Sequence, residues 1–350
     1  MAETENLVAE TAERIFADLA FAQTINHDPQ GGWKAPLWQA LEQAGLPLSW
    51  VPEACGGSGA SLAEGFAVLS AAGRAALAVP LAETMLAGWL LARAGLEVPP
   101  GVLTLAPVRL ADHLTLTHEA GIWRLTGSAA RIPWARDAAG IVVLADGPQG
   151  PAVVLLTNGF TVTPNENLAG EPRDTITVDA VLTADAIAPA PIDRAALRAA
   201  GAAVRTVQIA GALARALEIT VTYVQTRVQF GRPIGKFQAI HHNLAITAGQ
   251  SAAALAAADM ATDALAEELS PLLIGAAKAR AGEAASIAAG LVHQSHGAIG
   301  FTQEYQLHPY TRRLWSWRDE FGNEAEWNAV VGRIALAAGG DGLWPTLTAA

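Results

Sequence analysis

The spacing of apolar residues changes twice along this chain, and those two changes set the folds open to it. From about Glu5 to Leu96 apolar side chains recur every three or four residues, a helical pattern broken by the loop Trp50-Val-Pro-Glu-Ala-Cys-Gly56-Gly57-Ser-Gly59. Between about Leu103 and Pro191 the period falls toward two. Leu114-Thr-Leu-Thr, Ile122-Trp-Arg-Leu-Thr-Gly127, Ile141-Val-Val-Leu-Ala, Ala152-Val-Val-Leu-Leu and Thr175-Ile-Thr-Val are short β-type runs parted by Gly, Pro, Asp and Asn. From about Asp193 the pattern is again helical and rich in Ala, with segments near 194–229, 236–264, 271–297 and 324–338. The short runs predict a small antiparallel barrel or sandwich. Four long helices with short connections predict an antiparallel bundle. The expected fold is mainly α with a small β domain. Residues 1–102 form an N-terminal helical domain, 103–191 a middle β-barrel/sandwich domain and 192–350 a C-terminal four-helix-bundle domain.

Composition narrows the function classes. With 51% hydrophobic and only 16% charged residues in 350, much of the surface is expected to be covered by the chain itself or by partner subunits, and an oligomer is the natural inference. A net charge of -11 argues against nucleic acid and anionic membranes. The apolar runs stop short of a membrane span and the acidic N-terminus has no apolar signal core, so a soluble, cytoplasmic protein is expected. Cys55 is the sole cysteine, which excludes an intramolecular disulfide and a cysteine metal cluster. It has no nearby His, and no Gly-x-Ser-x-Gly elbow occurs, so nucleophilic catalysis is not expected. His293 and His296, and the pair His241-His242, lack a carboxylate or thiolate at a suitable helical offset, so no metal is expected. The ten tryptophans read as packing, and Trp315, Trp317 and Trp327 are expected to form an inter-subunit contact around the Arg-rich C-terminal helix.

One stretch gathers chemistry: Tyr223-Val-Gln-Thr-Arg227-Val-Gln229-Phe230-Gly231-Arg232-Pro233-Ile-Gly-Lys-Phe237-Gln238. It reads as the end of one helix, a tight turn and the first turn of the next, with Gly231 in the left-handed position that closes a helix and Pro233 blocking its continuation. A guanidinium at such a corner forks onto phosphate, and Gln238 donates from the same place. The stretch resembles the signature of the acyl-CoA dehydrogenase family, and further matches run along nearly the whole chain. They are Leu41-Glu-Gln-Ala-Gly-Leu46, Val51-Pro-Glu, Gly56-Gly-Ser-Gly59, Gly73-Arg74 with Val79-Pro-Leu-Ala-Glu83, and His293-Gln294-Ser-His296-Gly297-Ala-Ile-Gly300-Phe301-Thr-Gln-Glu304-Tyr305 followed by Arg312-Arg313. The resemblance implies FAD bound mainly by a neighbouring subunit. It assigns Arg227, Gln229, Phe230, Gln238, Gln294, Gly297 and Gly300 to the diphosphate and adenosine half. It further implies α,β-desaturation of an acyl-CoA thioester, with electrons passing to an electron-transfer flavoprotein.

The chain departs from the family where the reactive end of the flavin would sit. A Thr-Glu-Pro stretch, a Gly-Ser and an Asp are expected in the β domain, and the chain has Thr104-Leu-Ala106-Pro107-Val-Arg-Leu-Ala-Asp112. A Trp-Ile-Thr is replaced by Ala130-Arg131-Ile-Pro133-Trp134, where Trp134 either covers the flavin ring or packs in a core. Counting from Gly300 puts the family's base position at Phe321, with Glu320 and Asp319 beside it, and the alternative position falls near Gly201. For a base within this chain Glu320 comes first and Asp319 second, and an ion network with Arg312, Arg313 and Arg318 is the competing role for both. Three readings stay open: a self-sufficient acyl-CoA dehydrogenase acting as a homodimer or tetramer; a non-catalytic, FAD-completing subunit of an α2β2 heterotetramer of the kind that acts on steroid side-chain thioesters; and a flavin monooxygenase on the same scaffold.

Overall fold

The computed structural model describes residues 6–20, 28, 31–267 and 269–348; the acidic residues 1–5, where the helical pattern begins, lie outside this set. Nine helices and a mixed sheet are present among the described residues. The helices are α1 (Leu7–Leu19), α2 (Lys34–Gln43), α3 (Leu62–Arg74), α4 (Leu81–Ala94), α5 (Arg194–Thr226), α6 (Gln238–Glu267), α7 (Pro271–His296), α8 (His308–Trp317) and α9 (Glu324–Thr348). Contacts divide the chain into two compact units that interleave along the sequence. One comprises 1–37, 66–77 and 202–350, the other 38–65 and 78–201.

The second unit holds the sheet, whose strands are β1 (Leu103–Ala106), β2 (His113–Glu119), β3 (Ile122–Pro133), β4 (Gly140–Gly147), β5 (Gly150–Leu156), β6 (Phe160–Thr163), β7 (Arg173–Leu182) and β8 (Ile187–Pro189). They pair in the order β6-β7-β3-β2-β4-β5-β8, with β1 added against β4. Most pairs are antiparallel, as the alternating runs predict, but β1 and β2 each run parallel to β4, so the sheet is mixed. Leu114, Leu116, Leu125, Val143, Val154, Ile176 and Val178 fill its core, one residue in two along each strand. Helix α4 is buried along most of its length and joined to β1 by Thr84. The Thr84 hydroxyl donates to the Leu103 carbonyl and accepts from its N–H, both at 3.1 Å.

The first unit holds α1, most of α3 and α5, and α6 to α9. The four predicted bundle helices are present as α5, α6, α7 and α9, and α8 is an additional helix that the spacing did not mark. Ser270 caps α7 by accepting from Leu273 N, with Pro271 in the first turn. Helix α5 is long and apolar enough to cross a bilayer by length and composition, contrary to the expectation from apolar runs, but 61% of its most apolar window is buried in the fold. Ala-rich faces allow close packing, and glycines bring the backbones of α3 and α5 together. A Cβ on Gly73 would lie 2.2 Å from the carbonyl oxygen of Gln208, and one on Gly211 would lie 2.2 Å from that of Ser70. Two of the three tryptophans correct the expected inter-subunit contact, while Trp315 is half-buried. Trp317 (1% exposed) and Trp327 (2%) are interior to this chain, Trp327 donating its indole N–H to the Phe321 carbonyl at 3.0 Å.

The α3–α5 crossing has a direct test. Gly211→Ala forces the two backbones apart and is expected to destabilise the chain by about 2 kcal/mol or more. Gly249→Ala, in α6 with open space around the new methyl group, is expected to stabilise the isolated chain by about 0.5–1 kcal/mol. Denaturant midpoints of the two variants check both signs.

Candidate functional site

Helix α5 ends at Thr226, and the chain then forms a miniature hairpin rather than passing straight into the next helix. Val228–Gln229 pairs with Arg232–Pro233, and Phe230 (φ 52°) and Gly231 (φ 78°) make the tip. Both central residues are left-handed, the geometry of a tight primed turn, so Gly231 serves a strand reversal and not the helix closure expected from the sequence. Arg227 anchors the hairpin by its backbone, donating to Tyr223 O and accepting from Ile234 N, each at 2.8 Å. Its guanidinium is left exposed, and no ion pair among the described residues involves Arg227, Arg232 or Lys236. Phe230 is 90% exposed while held in a conformation that suits Gly or Asn. The Arg232 guanidinium lies 4.3 Å from the centroid of Phe237, and Gln238 opens α6 with its side chain exposed. From Ile219 to Ala258 there is no Asp or Glu, so the corner is a positive island on a chain of net charge -11.

The end of α7 meets the end of α5. Tyr223 stacks on His296 with centroids 4.4 Å apart, Tyr305 closes edge-on against Tyr223 at 5.7 Å, and the Tyr223 hydroxyl donates to the His296 carbonyl at 3.3 Å. Gln294 is exposed, two residues before His296. Gly297 (φ 68°) breaks α7 into the short turn 297–301. The missing side chain of Gly300 is used within the chain, since a Cβ there would lie 3.1 Å from His293 Nδ1. Two buried imidazoles support the turn. His293 is bonded through Nε2 to Thr311 at 2.8 Å and stacks between Phe301 and Trp315; His296 is bonded through Nδ1 to the Val292 carbonyl at 2.8 Å. His293 Nδ1 and His296 Nε2 make no hydrogen bond. Burial pushes the His293 imidazole down to about 4, with His296 and His308 adding to the effect, and burial likewise lowers His296.

The residues around the base position are committed to one another. Glu320 Oε2 accepts from Arg205 Nε at 2.8 Å, and Arg205, 2% exposed in the middle of α5, also donates to Gln208 at 2.5 Å. Asp319 pairs with Arg318 at 3.3 Å and is about half exposed. Phe321 is 6% exposed with φ 54°. Lys278, buried on α7, donates to the carbonyls of Arg318 and Gly322 and so clamps both ends of the turn. Burial pushes its ammonium down to about 8, an effect the nearby carboxylates of Glu324, Glu320 and Asp319 only partly offset. Arg205 and Lys278 lie outside the motifs, and Tyr223 and Tyr305 stand at the ends of the quoted stretches with no role assigned to them. For Arg205 a signal existed, a charge with no charged residue within six positions inside an Ala-rich helical run.

In the second unit, the two segments that depart from the family pattern bond to each other. The Thr104 hydroxyl, fully buried, donates to the Pro133 carbonyl at 2.5 Å, and the Asp112 carboxylate accepts from Ala130 N at 3.0 Å. The second bond lies at the bulge between Ala129 and Ile132, where Arg131 is left-handed. Trp134 follows, 4% exposed, its N–H donating to the Pro172 carbonyl at 3.1 Å. The site residues named from the sequence are therefore distributed between the units, with Trp134 alone in the second.

Comparison with known proteins gives two domain matches: "Acyl-CoA dehydrogenase, N-terminal domain" over residues 2–98 and "Acyl-CoA dehydrogenase, C-terminal domain" over 198–324. The chain is 32% identical over 292 residues to Acyl-CoA dehydrogenase IpdE2 of Mycobacterium tuberculosis (strain ATCC 25618 / H37Rv), covering 81% of each protein. Among solved structures it is similar to a chain of the ChsE4-ChsE5 complex from Mycobacterium tuberculosis, with TM-score 0.86, 25% identity, and 96% and 98% of the two chains covered. It is similar also to a chain of a variant of the Tcur3481-Tcur3483 steroid ACAD, with TM-score 0.84, 28% identity, and 95% and 97% covered.

The imidazole core makes a prediction about acid. His293 stays neutral in the fold down to about pH 4, whereas its unfolded value is 6.5. In that window the unfolded chain binds the extra proton, so stability falls as pH drops from 6.5 toward 4. His293→Phe is expected to flatten this limb of the stability curve, measured by denaturant titration at pH 7, 5.5 and 4.5.

Proposed function

The chain belongs to the acyl-CoA dehydrogenase family, and we propose that within it this protein is the FAD-completing, non-catalytic subunit of a heteromeric enzyme. The observation that carries the reading is the pairing of Glu320 with the buried Arg205, beside a buried Phe321 at the base position. A carboxylate held by a desolvated guanidinium is a poor proton acceptor, because protonation would leave the cation unpaired. Asp319, the second candidate, faces solvent and Arg318.

The residues fit one half of the cofactor. Arg227, Gln238 and Gln294 present an unpaired guanidinium and exposed amides, and His296, two residues beyond Gln294, holds an unbonded ring nitrogen. These would hold the diphosphate and adenosine end. The segment expected to meet the flavin ring does not fit, since Thr104 and Asp112 already bond to Pro133 and Ala130. When bound, FAD supplies the acceptor for the hydride lost from the substrate β-carbon; the α-proton goes to a carboxylate of the partner. This chain's part is to bind and orient the anionic end of the cofactor across the subunit boundary. The named complexes to which the chain is similar, ChsE4-ChsE5 and the steroid ACAD Tcur3481-Tcur3483, support both a two-chain enzyme and a steroid-derived CoA thioester as the substrate class. An electron-transfer flavoprotein is the proposed electron acceptor.

Counting flavin per chain tests this. Purified alone, the protein is expected to be colourless; co-purified with a second acyl-CoA dehydrogenase chain it is expected to carry fewer flavins than subunits. A fully yellow homo-oligomer bleached by acyl-CoA under anaerobic conditions would overturn the reading. Glu320→Gln separates the two roles further. It is expected to destabilise the fold by about 3 kcal/mol through loss of the buried pair. A base would instead give a normally stable variant with lost turnover.

A further inference from the structure

Helices α6 and α7 turn an uncharged face to solvent. From Phe237 to Ala258 there is no Asp, Glu, Lys or Arg, yet one side of α6 is open along this length, with Ile246 47% and Leu255 42% exposed. A solvated helix face ordinarily carries charge. Beside it α7 presents Ile287, Gly290 and Gln294, exposed positions at spacings of three and four residues. The two helices pack along each other, and Arg280 of α7 donates to Gln250 of α6 at 2.7 Å. Gly249 lies 20 residues before Leu269 in the intervening turn and Gly290 lies 21 after it, so both stand about 30 Å from that turn, at one level. A Cβ on either would meet nothing within 4 Å. Glycine inside a helix costs backbone entropy relative to Ala, and no contact among the described residues requires it at these two positions. Where α3 crosses α5, by contrast, Gly73 and Gly211 are required because the other helix backbone lies where a Cβ would go. A level pair of glycines with no backbone against them suits the crossing of a helix from another chain.

The ends of this face say which chain covers it. Helix α6 starts at Gln238 and α7 ends two residues past Gln294, and both amides belong to the corner that would hold the anionic end of FAD across a subunit boundary. Val228 and Phe230 on the hairpin, and Ile299 and Phe301 after α7, are exposed apolar residues around the same corner. An apolar surface of this extent, running from the corner along both helices, is the mark of a contact with another chain. Resting on the reading of this chain as the FAD-completing subunit, we propose that the α6/α7 face is covered by the second acyl-CoA dehydrogenase chain, the one that holds the flavin ring, and that a helix of that chain crosses at Gly249 and Gly290. A chain that holds the far end of a cofactor gripped at Arg227, Gln238 and Gln294 has to stand beside those residues. A second copy of this chain brings no ring-holding segment there, since Thr104 and Asp112 are bonded to Pro133 and Ala130. The uncharged face desolvates no ion when the two chains meet, and glycines at the crossing allow the dense packing of a lasting interface.

Two measurements on the full chain, alone and with the second chain that co-purifies with it, test this. In a Cys55→Ser background, Ala252→Cys and Ile287→Cys are expected to react with a maleimide about tenfold more slowly once the second chain is bound, while Glu119→Cys on the sheet keeps its rate. Gly249→Leu and Gly290→Leu place their side chains in open space, so the denaturant midpoint of the isolated chain is expected not to fall. The same variants are expected to weaken association with the second chain about tenfold or more, read by sedimentation. Labelling that slows no more at Ala252→Cys and Ile287→Cys than at Glu119→Cys overturns the proposal. So does association of both glycine variants as tight as that of the native chain, and in either case a count of fewer flavins than subunits leaves the flavin reading standing. A chain that takes up no partner, or a fully yellow homo-oligomer, overturns that reading and this proposal with it.

Discussion

Arg205 is the constraint from which much of the helical unit follows. A guanidinium cannot shed its charge, and in the middle of an apolar helix its desolvation costs several kcal/mol unless a partner carboxylate and further acceptors surround it. Glu320 and Gln208 supply them. The partner is drawn from a turn 115 residues away, so that turn must be held in place. Lys278 does this from α7 by bonding carbonyls at both its ends, and Trp327 bonds the carbonyl between them. Three helices and one turn are thus tied around two buried cations. The same ties decide the chemistry, since the carboxylate that balances Arg205 is the one nearest the position a base would hold.

The architecture was legible because it rests on periodicity. Four bundle helices follow from three- and four-residue spacing, and the sheet follows from alternation in runs such as Leu114-Thr-Leu-Thr. What stayed hidden depends on contacts between residues far apart in sequence. That β1 and β2 run parallel to β4 is set by tertiary packing and leaves no local mark. The hairpin at Phe230–Gly231 was read as a helix end because Gly followed by Pro stops a helix equally well in either setting. Trp317 and Trp327 looked like interface residues because arginines stand near them in the sequence, but both are buried inside this chain.

The candidate site divides in the same way. Tyr223 and His296 bring the ends of α5 and α7 together, so the two stretches flagged separately in the sequence, around Arg227 and around Gln294, belong to one corner. The residues weighed for the reactive end are bonded within their own units: Thr104 with Pro133 and Asp112 with Ala130 in one, Glu320 with Arg205 in the other. Departures from a family pattern show only that residues changed; the bonds show what replaced the lost contacts.

The absence of acidic residues from Ile219 to Ala258 gives the molecule two electrostatic faces seen at different ranges. At low ionic strength, where the screening distance is about 30 Å, an approaching anion meets the field of a net negative body and is held off. Within about 8 Å, the screening distance at physiological ionic strength, it meets Arg227, Arg232 and Lys236 instead. Moderate salt dampens the outer field first, so an anionic visitor gains easier passage to the corner before its final grip begins to weaken. The rate of arrival and the strength of holding therefore answer to ionic strength in opposite directions.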